Sequence, residues 1–427
     1  MIVVEATDRV ALAPLFAGGW DPAPEVGVRV AEIIAAVRAG GDAALLAYTR
    51  RFDAPDFAAD ALRVAIPSRK HARTLVPEAI AAGLETARER IETFHARQQT
   101  AALDYRTADG TRLALLVRPL HAIGAYVPGG TATLPSSVLM TVVPAKVAGV
   151  DRVVVTTPPG KTGEVNPAIL YACALCGVDE LYAVGGAQAI AALAYGTQSI
   201  ARVDKIVGPG NVYVTEAKRQ VFGAVGIDGL AGPSEVLVVA DEYAKPTLVA
   251  GELIAQAEHD PLARVAAVSR HRPLLDAVAA LLAGDFARET GRGSIVAAVL
   301  RERAYLIHAR SDDEILAVIE GFAPEHLSLQ VADPERFIPH IRRAGALFVG
   351  DDTPVAAGDY IAGSNHVLPT SGAARFSSGL HLADFSRTMS LVENSRARMA
   401  ADRESLAALA EFEGLPAHAR TALLRDP

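Results

Sequence analysis

Apolar residues recur along the chain at two alternating spacings. Val30, Ile33, Ile34 and Val37 repeat at helical spacing, and Gly40, Gly41 and Asp42 end that helix and begin the next. Apolar runs of strand length follow at Leu113–Val117, Val153–Thr157, Leu181–Val184, Glu235–Ala240, Val265–Val268, Ala304–His308, Leu327–Val331 and Ala346–Val349. Helical stretches separate most of them, including Ala187–Tyr195, Val212–Phe222, Pro246–His259, Asp312–Ile319 and Pro334–Arg343. Strands that alternate with helices imply α/β layers and mostly parallel sheet. From about Leu380 onward the chain reads as helical, rich in charge and alanine and without strands, which predicts an appended arm.

At 427 residues the chain exceeds one ordinary core, so two or more domains are expected. Hydrophobic residues make up 51% and charged residues 21%, the balance of a globular protein with much to bury. A formal net charge of −8 and the lack of a Lys/Arg cluster argue against a nucleic-acid partner. The Met1 end has no basic stretch followed by an apolar core, which argues against secretion. No apolar run reaches the ~20 residues that span a bilayer. A cytoplasmic location with no membrane partner is expected. Both cysteines fall in Cys173-Ala-Leu-Cys176, inside the apolar helical segment Asn166–Cys176, and burial is the simpler reading than redox or zinc chemistry.

Candidate chemistry begins with LIAQAEHD at 253–260. Gln256 and His259 stand three apart at a helix's C-terminal end and share one face, so they could hold a metal ion without enclosing it. Three glycine turns, Tyr126-Val-Pro-Gly129-Gly130, Gly185-Gly186-Ala-Gln188 and Gly208-Pro-Gly210-Asn211, follow strands. Backbone N–H groups at such turns meet phosphate or ribose oxygens. None is a G-x-G-x-x-G, so a nucleotide cleft and plain tight turns both remain open. Ala323-Pro-Glu325-His326 sets a carboxylate beside an imidazole, able to divide proton work. Taken in isolation, an ordinary loop glutamate and a satisfied histidine at a strand start are the simpler reading of that pair. The loop from Gly358 to Pro369 carries Asp359, Asn365 and His366 and is expected at the carboxyl end of the Ala346–Val349 strand. Glu413 and His418 close the arm, where a lone histidine is ordinarily solvated.

Together these segments resemble histidinol dehydrogenase. The resemblance rests on GIDGLAGPSEVLVVAD at 226–241, LIAQAEHD at 253–260, APEHL at 323–327, GDYIAGSNHVLPTSGAARFSSGL at 358–380 and EGLPAH at 413–418. It extends to YVPGG at 126–130, PSSVLM at 135–140, GGAQAIAALAYGT at 185–197 and VDKIVGPGNVYVTEAKRQVFG at 203–223, and covers roughly residues 25 to 420. It implies a zinc-dependent, NAD-linked enzyme that oxidises L-histidinol through L-histidinal to L-histidine, with one zinc per subunit. Gln256, His259, Asp359 and His418 would be the metal ligands, and Glu325 and His326 the acid/base pair. Tyr126, Gln188 and Asn211 would contact NAD. Ser136, Ser234, His366 and Glu413 would bind substrate together with the metal ligands and His326.

The implied fold is two Rossmann-like α/β domains with mostly parallel sheets and a helical C-terminal arm, in an intertwined homodimer with shared active sites. The expected division is an extension at 1–21, a larger domain from 22–125 and 236–378, an inserted NAD-binding domain at 126–235, and a dimerisation arm at 379–427. Glu413 and His418 would then serve the partner's site. Two imidazoles, an amide oxygen and a carboxylate suit a catalytic metal with open positions. Glu252, where such enzymes usually carry Asp, and the stretch Asp384–Ser390, which lacks a Lys-Arg pair, are departures away from the ligands. Oxidation of another polar alcohol and a zinc hydrolase using Glu325 are the alternatives.

Overall fold

A computed structural model describes residues 2–98, 102–129, 133–287 and 292–425. In chain order the first strands are β1 (Ile2–Glu5), β2 (Arg63–Val64), β3 (Leu103–Arg106), β4 (Arg112–Pro119), β5 (Ala122–Tyr126), β6 (Arg152–Thr157), β7 (Glu180–Ala183), β8 (Lys205–Val207) and β9 (Gly226–Ile227). Then come β10 (Glu235–Ala240), β11 (Arg264–Ser269), β12 (Ala304–His308), β13 (His326–Gln330), β14 (Ala346–Val349) and β15 (Ser386–Glu393). Twelve of them form two six-stranded sheets, ordered β2-β7-β6-β5-β8-β9 and β1-β12-β11-β10-β13-β14, and the other three form the sheet β15-β4-β3. Every pairing in the two six-stranded sheets is parallel except β2 with β7. The α/β class with mostly parallel sheet is therefore as the alternation predicts.

Successive side chains of a strand point to opposite faces, and β10 shows the consequence. Val236, Val238 and Ala240 enter one core with the helices Pro246–Ala257 and Arg272–Ala283. Leu237 and Val239 enter another with helix Asp312–Phe322. Helices thus cover both faces, which is why β10 is continuously apolar.

The packing divides the chain differently from the expected domains. Val26, Val30, Ile33, Leu45, Leu84 and Ile91 lie in one core with β5, β6 and β7, so 22–125 belongs largely with 126–235. The N-terminal stretch is no loose extension: β1 pairs with β12, and Leu12 and Leu15 are buried against the second sheet. The arm also contains a strand. β15 pairs antiparallel with β4, placing Met389 opposite Leu116 and Leu391 opposite Ala114. Both of its faces are largely exposed, so no apolar run marks it. Residues 334–343 form two short 3-10 turns, Pro334–Arg336 and Ile338–His340, rather than a helix. Pro339 lacks the N–H a continuing helix needs and would crowd the preceding turn.

Candidate active site

The second sheet gathers its chemical groups at the amino edge of its strands. Helix Pro246–Ala257 starts after β10 and runs back against the strand direction, so its last turn, with Gln256, and the turn that follows, with His259, come toward the start of β13. Helix Val355–Tyr360 returns the same way after β14 and carries Asp359 to that edge. The sequence reading had set this loop at the carboxyl end; the return helix reverses it. Glu252 Oε accepts the N–H of Val355 at 3.2 Å and ties the two helices together. Gly358 has no room for a side chain against the Phe348 ring, which permits the second helix to lie close.

His326 opens β13, and its tautomer is fixed. Nδ1 sits 2.9 Å from the carbonyl oxygen of Glu235, and since a carbonyl only accepts, Nδ1 carries the proton. In its neutral form the ring would present its lone pair at Nε2. That atom is buried without a hydrogen-bond partner, 3.6 Å from Asp359 Oδ1. Glu325 Oε2 accepts the N–H of Glu235 at 2.9 Å and lies 3.4 Å from His326 Nδ1. Burial pushes the Glu325 carboxyl up to about 8, against the opposing pull of His326. Burial alone would lower His326, but the carboxylates of Glu325 and Asp359 outweigh it and hold the ring above its ordinary value.

The neighbours suit metal ligation. Burial lowers His259, which keeps its imidazole neutral with a lone pair to donate. Burial works to raise Asp359, but bonding to His326 and the charges of nearby imidazoles hold it low and ionised. Gln256 is 2% exposed, and its amide nitrogen has no hydrogen-bond partner. Among the described residues no three His, Cys, Asp or Glu side chains group to hold a metal ion. Glu413 and His418 are exposed on the arm, and the arm's two helices, Arg396–Phe412 and Pro416–Leu423, pack chiefly on each other. His366 donates from Nδ1 to the carbonyl of Asp359 at 2.9 Å, and Nε2 meets Ser137 Oγ at 3.3 Å. Ser136 is buried beside Ser137 in the first turn of helix Pro135–Ala148. Ser234 lies just before β10, where its carbonyl accepts from the Arg264 N–H at 3.1 Å.

The first sheet offers its carboxyl edge. Strand order reverses between β5 and β8, and such a switch point is where α/β sheets bind ligands. Tyr126 closes β5 and Asn211 follows β8, so both flank it. The Tyr126 hydroxyl accepts the N–H of Gly186 at 3.2 Å, and burial pushes its phenol up to about 12. Gln188 is buried in the first turn of helix Gly186–Tyr195. Asn211 caps helix Val212–Val221, its oxygen accepting from Tyr213 at 3.0 Å and Val214 at 3.1 Å, which leaves its NH2 group as donor. Gly130, named with the first turn, lies outside the described residues.

Sequence reasoning missed a buried ion pair beneath the third turn. Lys218 pairs with Asp228 and donates to the Gly208 carbonyl at 3.0 Å, while Asp228 accepts the Gly208 N–H at 2.6 Å. Gly208 has φ +110°, and a side chain there would strike the Tyr126 carbonyl. A lysine on a polar-looking helix gives no sign of such burial. Cys173 and Cys176 are buried and unbonded, and burial raises both thiols.

The family model described as histidinol dehydrogenase matches residues 21–426. The chain is 48% identical to the histidinol dehydrogenase of Aromatoleum aromaticum, covering 96% of this chain and 93% of that one. It is 48% identical to that of Pseudomonas aeruginosa, covering 94% and 91%. A crystal structure of histidinol dehydrogenase from Elizabethkingia anophelis superposes with a TM-score of 0.92 at 34% identity, covering 100% of this chain and 98% of that chain. The chain belongs to the histidinol dehydrogenase family.

In this member of the histidinol dehydrogenase family, the loop from Asp359 to Ser371 joins the two sheets. Asn365 donates to the Met140 carbonyl at 2.7 Å, beside the His366–Ser137 bond, and Ser371 donates to Glu235 at 3.0 Å. A cavity of about 540 Å³ borders the end of this loop, lined by Trp20, Lys218, Asp228, Thr370, Ser371 and others. Neither Glu325 nor His326 lines it. Among the described residues no helix is long and apolar enough to cross a membrane.

Proposed function

We propose that this chain oxidises L-histidinol through L-histidinal to L-histidine, the closing steps of histidine biosynthesis, with two NAD⁺ reduced. The observation that carries the reading is the fixed tautomer of His326, whose unpartnered Nε2 is buried beside Asp359 and Glu325 in a chain of this family.

Gln256, His259 and Asp359 would hold zinc, with His418 of a second copy as the fourth ligand. The buried amide of Gln256, the neutral imidazole and the ionised carboxylate fit such an ion. Tyr126, Gln188 and Asn211 would hold NAD at the switch point. When bound, NAD⁺ would supply the hydride acceptor and zinc a Lewis acid to hold and polarise the substrate.

His326 takes the hydroxyl proton at Nε2 as hydride leaves the carbinol carbon, giving the aldehyde. Glu325 then takes a proton from water as its oxygen adds to that aldehyde. The aldehyde oxygen takes back the proton held on His326, and the resulting diol loses a second hydride and two protons, one to His326 and one to solvent, to give the carboxylate. Ser136, Ser234, His366 and Glu413 contact the substrate. Glu413 and His418 come from the partner of a cytoplasmic homodimer, and exposed Leu409, Phe412 and Leu424 give the arm an apolar face to dock.

The test is NADH formation from L-histidinol and NAD⁺ by zinc-loaded protein. Two NADH per histidinol and histidine as product are expected. No NADH with histidinol sinks the reading, and turnover only with another polar alcohol reassigns the substrate.

A further inference from the structure

Glu235 is wholly buried at the first position of β10, and the chemistry above gives it no part. Its groups nevertheless reach every side of the site. Its N–H donates to Glu325 Oε2 and its carbonyl accepts from His326 Nδ1, each at 2.9 Å. Carboxylate oxygen Oε1 accepts from the Ser371 N–H at 3.0 Å and from the Arg264 guanidinium. Oxygen Oε2 is buried without a hydrogen-bond partner. A paired buried carboxylate is a weak source of stability, since an apolar side chain of like volume often serves as well or better. Stability alone therefore does not account for a charged group here.

The surroundings show what the carboxylate restrains. Ser371 has φ +53°, a strained conformation for a residue with a side chain. It ends the loop that starts at Asp359 and carries His366. Glu235 holds its N–H, and the Gly19 N–H holds its carbonyl at 2.8 Å. Arg264 is itself anchored, donating to the Leu15 carbonyl at 2.9 Å and to the Ala17 carbonyl. The lock on Glu235 thus rests on the N-terminal segment and on the sheet.

We propose that Glu235, locked by Arg264, is a positioning residue that orients Glu325 and His326 through its backbone and ties the loop of Asp359 and His366 to them through its carboxylate. The inference rests on the acid/base reading of Glu325 and His326. One residue's N–H and carbonyl orient both proton-transfer groups, so rotation of Glu235 displaces the two together. Its side chain prevents that rotation. The same carboxylate joins His326 and Asp359 as the charged groups that face Glu325, and it opposes Glu325 ionisation.

The test compares Glu235→Gln, Glu235→Ala and Glu325→Gln in the zinc-loaded enzyme with NAD⁺. Glu235→Gln keeps an oxygen for Arg264 and Ser371 while removing the charge. Its kcat is expected within about tenfold of the parent, with the acid limb of kcat/KM moved to lower pH because Glu325 ionises more easily. Glu235→Ala removes the lock, and kcat per folded molecule is expected to fall about 100-fold, the effect of a misplacement of about 1 Å, while KM for histidinol changes little. If the alanine variant does not fold, the glutamine profile decides. A glutamine profile superimposed on the parent's, or an alanine variant with parental kcat, overturns the proposal. Full activity in Glu325→Gln instead overturns the acid/base reading, and this inference with it.

Discussion

Gly345 lies so close to Glu325 that a single added carbon would sit 2.5 Å from the Glu325 backbone oxygen. The approach has a cause in the ladder. The N–H of Gly345 donates to Pro324 and that of Ala346 to Glu325, both at 2.9 Å, as β14 joins β13. Gly345→Ala must therefore part the strands where the acid/base pair begins. We expect a loss of about 1–3 kcal/mol in stability from overpacking, and a lower kcat per folded molecule. Thermal unfolding and steady-state rates check both, and a variant equal to the parent in each would show that the contact relaxes harmlessly.

Glu325 is a buried acid whose carboxyl is pushed up to about 8, chiefly by burial. If Glu325 is the base that activates water it must be ionised, so its working form is lost as pH falls through that value. Oxidation of histidinal, supplied directly with NAD⁺, should drop roughly tenfold per unit below about pH 8. Glu325→Gln should slow this half-reaction more than the oxidation of histidinol to histidinal. A pH profile flat across that range would remove Glu325 from the water step.

How far the site could be read from sequence depends on what each element buries. Strands such as β10 and β13 are covered on both faces, so their apolar runs are plain, and Glu325 and His326 stand out at the start of one. β5 is as deeply buried but is built from Ala122, Ile123, Gly124, Ala125 and Tyr126, too small to mark a strand. Gly124 is required there because a side chain would meet Leu193 at 2.8 Å. Domain membership was misread because an α/β pattern does not say which sheet a helix covers. The edge on which Asp359 falls depends on a six-residue helix that reverses direction. Glu235 and Lys218 look like ordinary charged residues until the fold buries them.

The Lys218–Asp228 pair should matter to the cofactor side alone. Both side chains are buried, and together they hold the two polar backbone groups of Gly208 ahead of Asn211. Lys218→Met leaves Asp228 unpaired, which should cost about 3–5 kcal/mol of stability. In the folded fraction, KM for NAD⁺ should rise while KM for histidinol stays near the parent's. A rise in both, or in neither, would mean that the third glycine turn does not carry NAD.

The exposed arm makes a prediction that a site built within one chain does not. Glu413 and His418 lie on it beside Phe412, which is 92% exposed among the described residues. If the arm serves the partner, a His418→Ala subunit keeps an intact Glu325 and lacks only what it lends away. A Glu325→Gln subunit keeps an intact arm. Neither homodimer has a complete site, but each heterodimer has one of two. Random exchange makes half the dimers mixed, so mixing the inactive variants should restore about a quarter of parental activity. The recovery should follow subunit exchange in time and vanish if the dimers are crosslinked before mixing. No recovery after proven exchange would place His418 in its own chain's site or outside the site altogether.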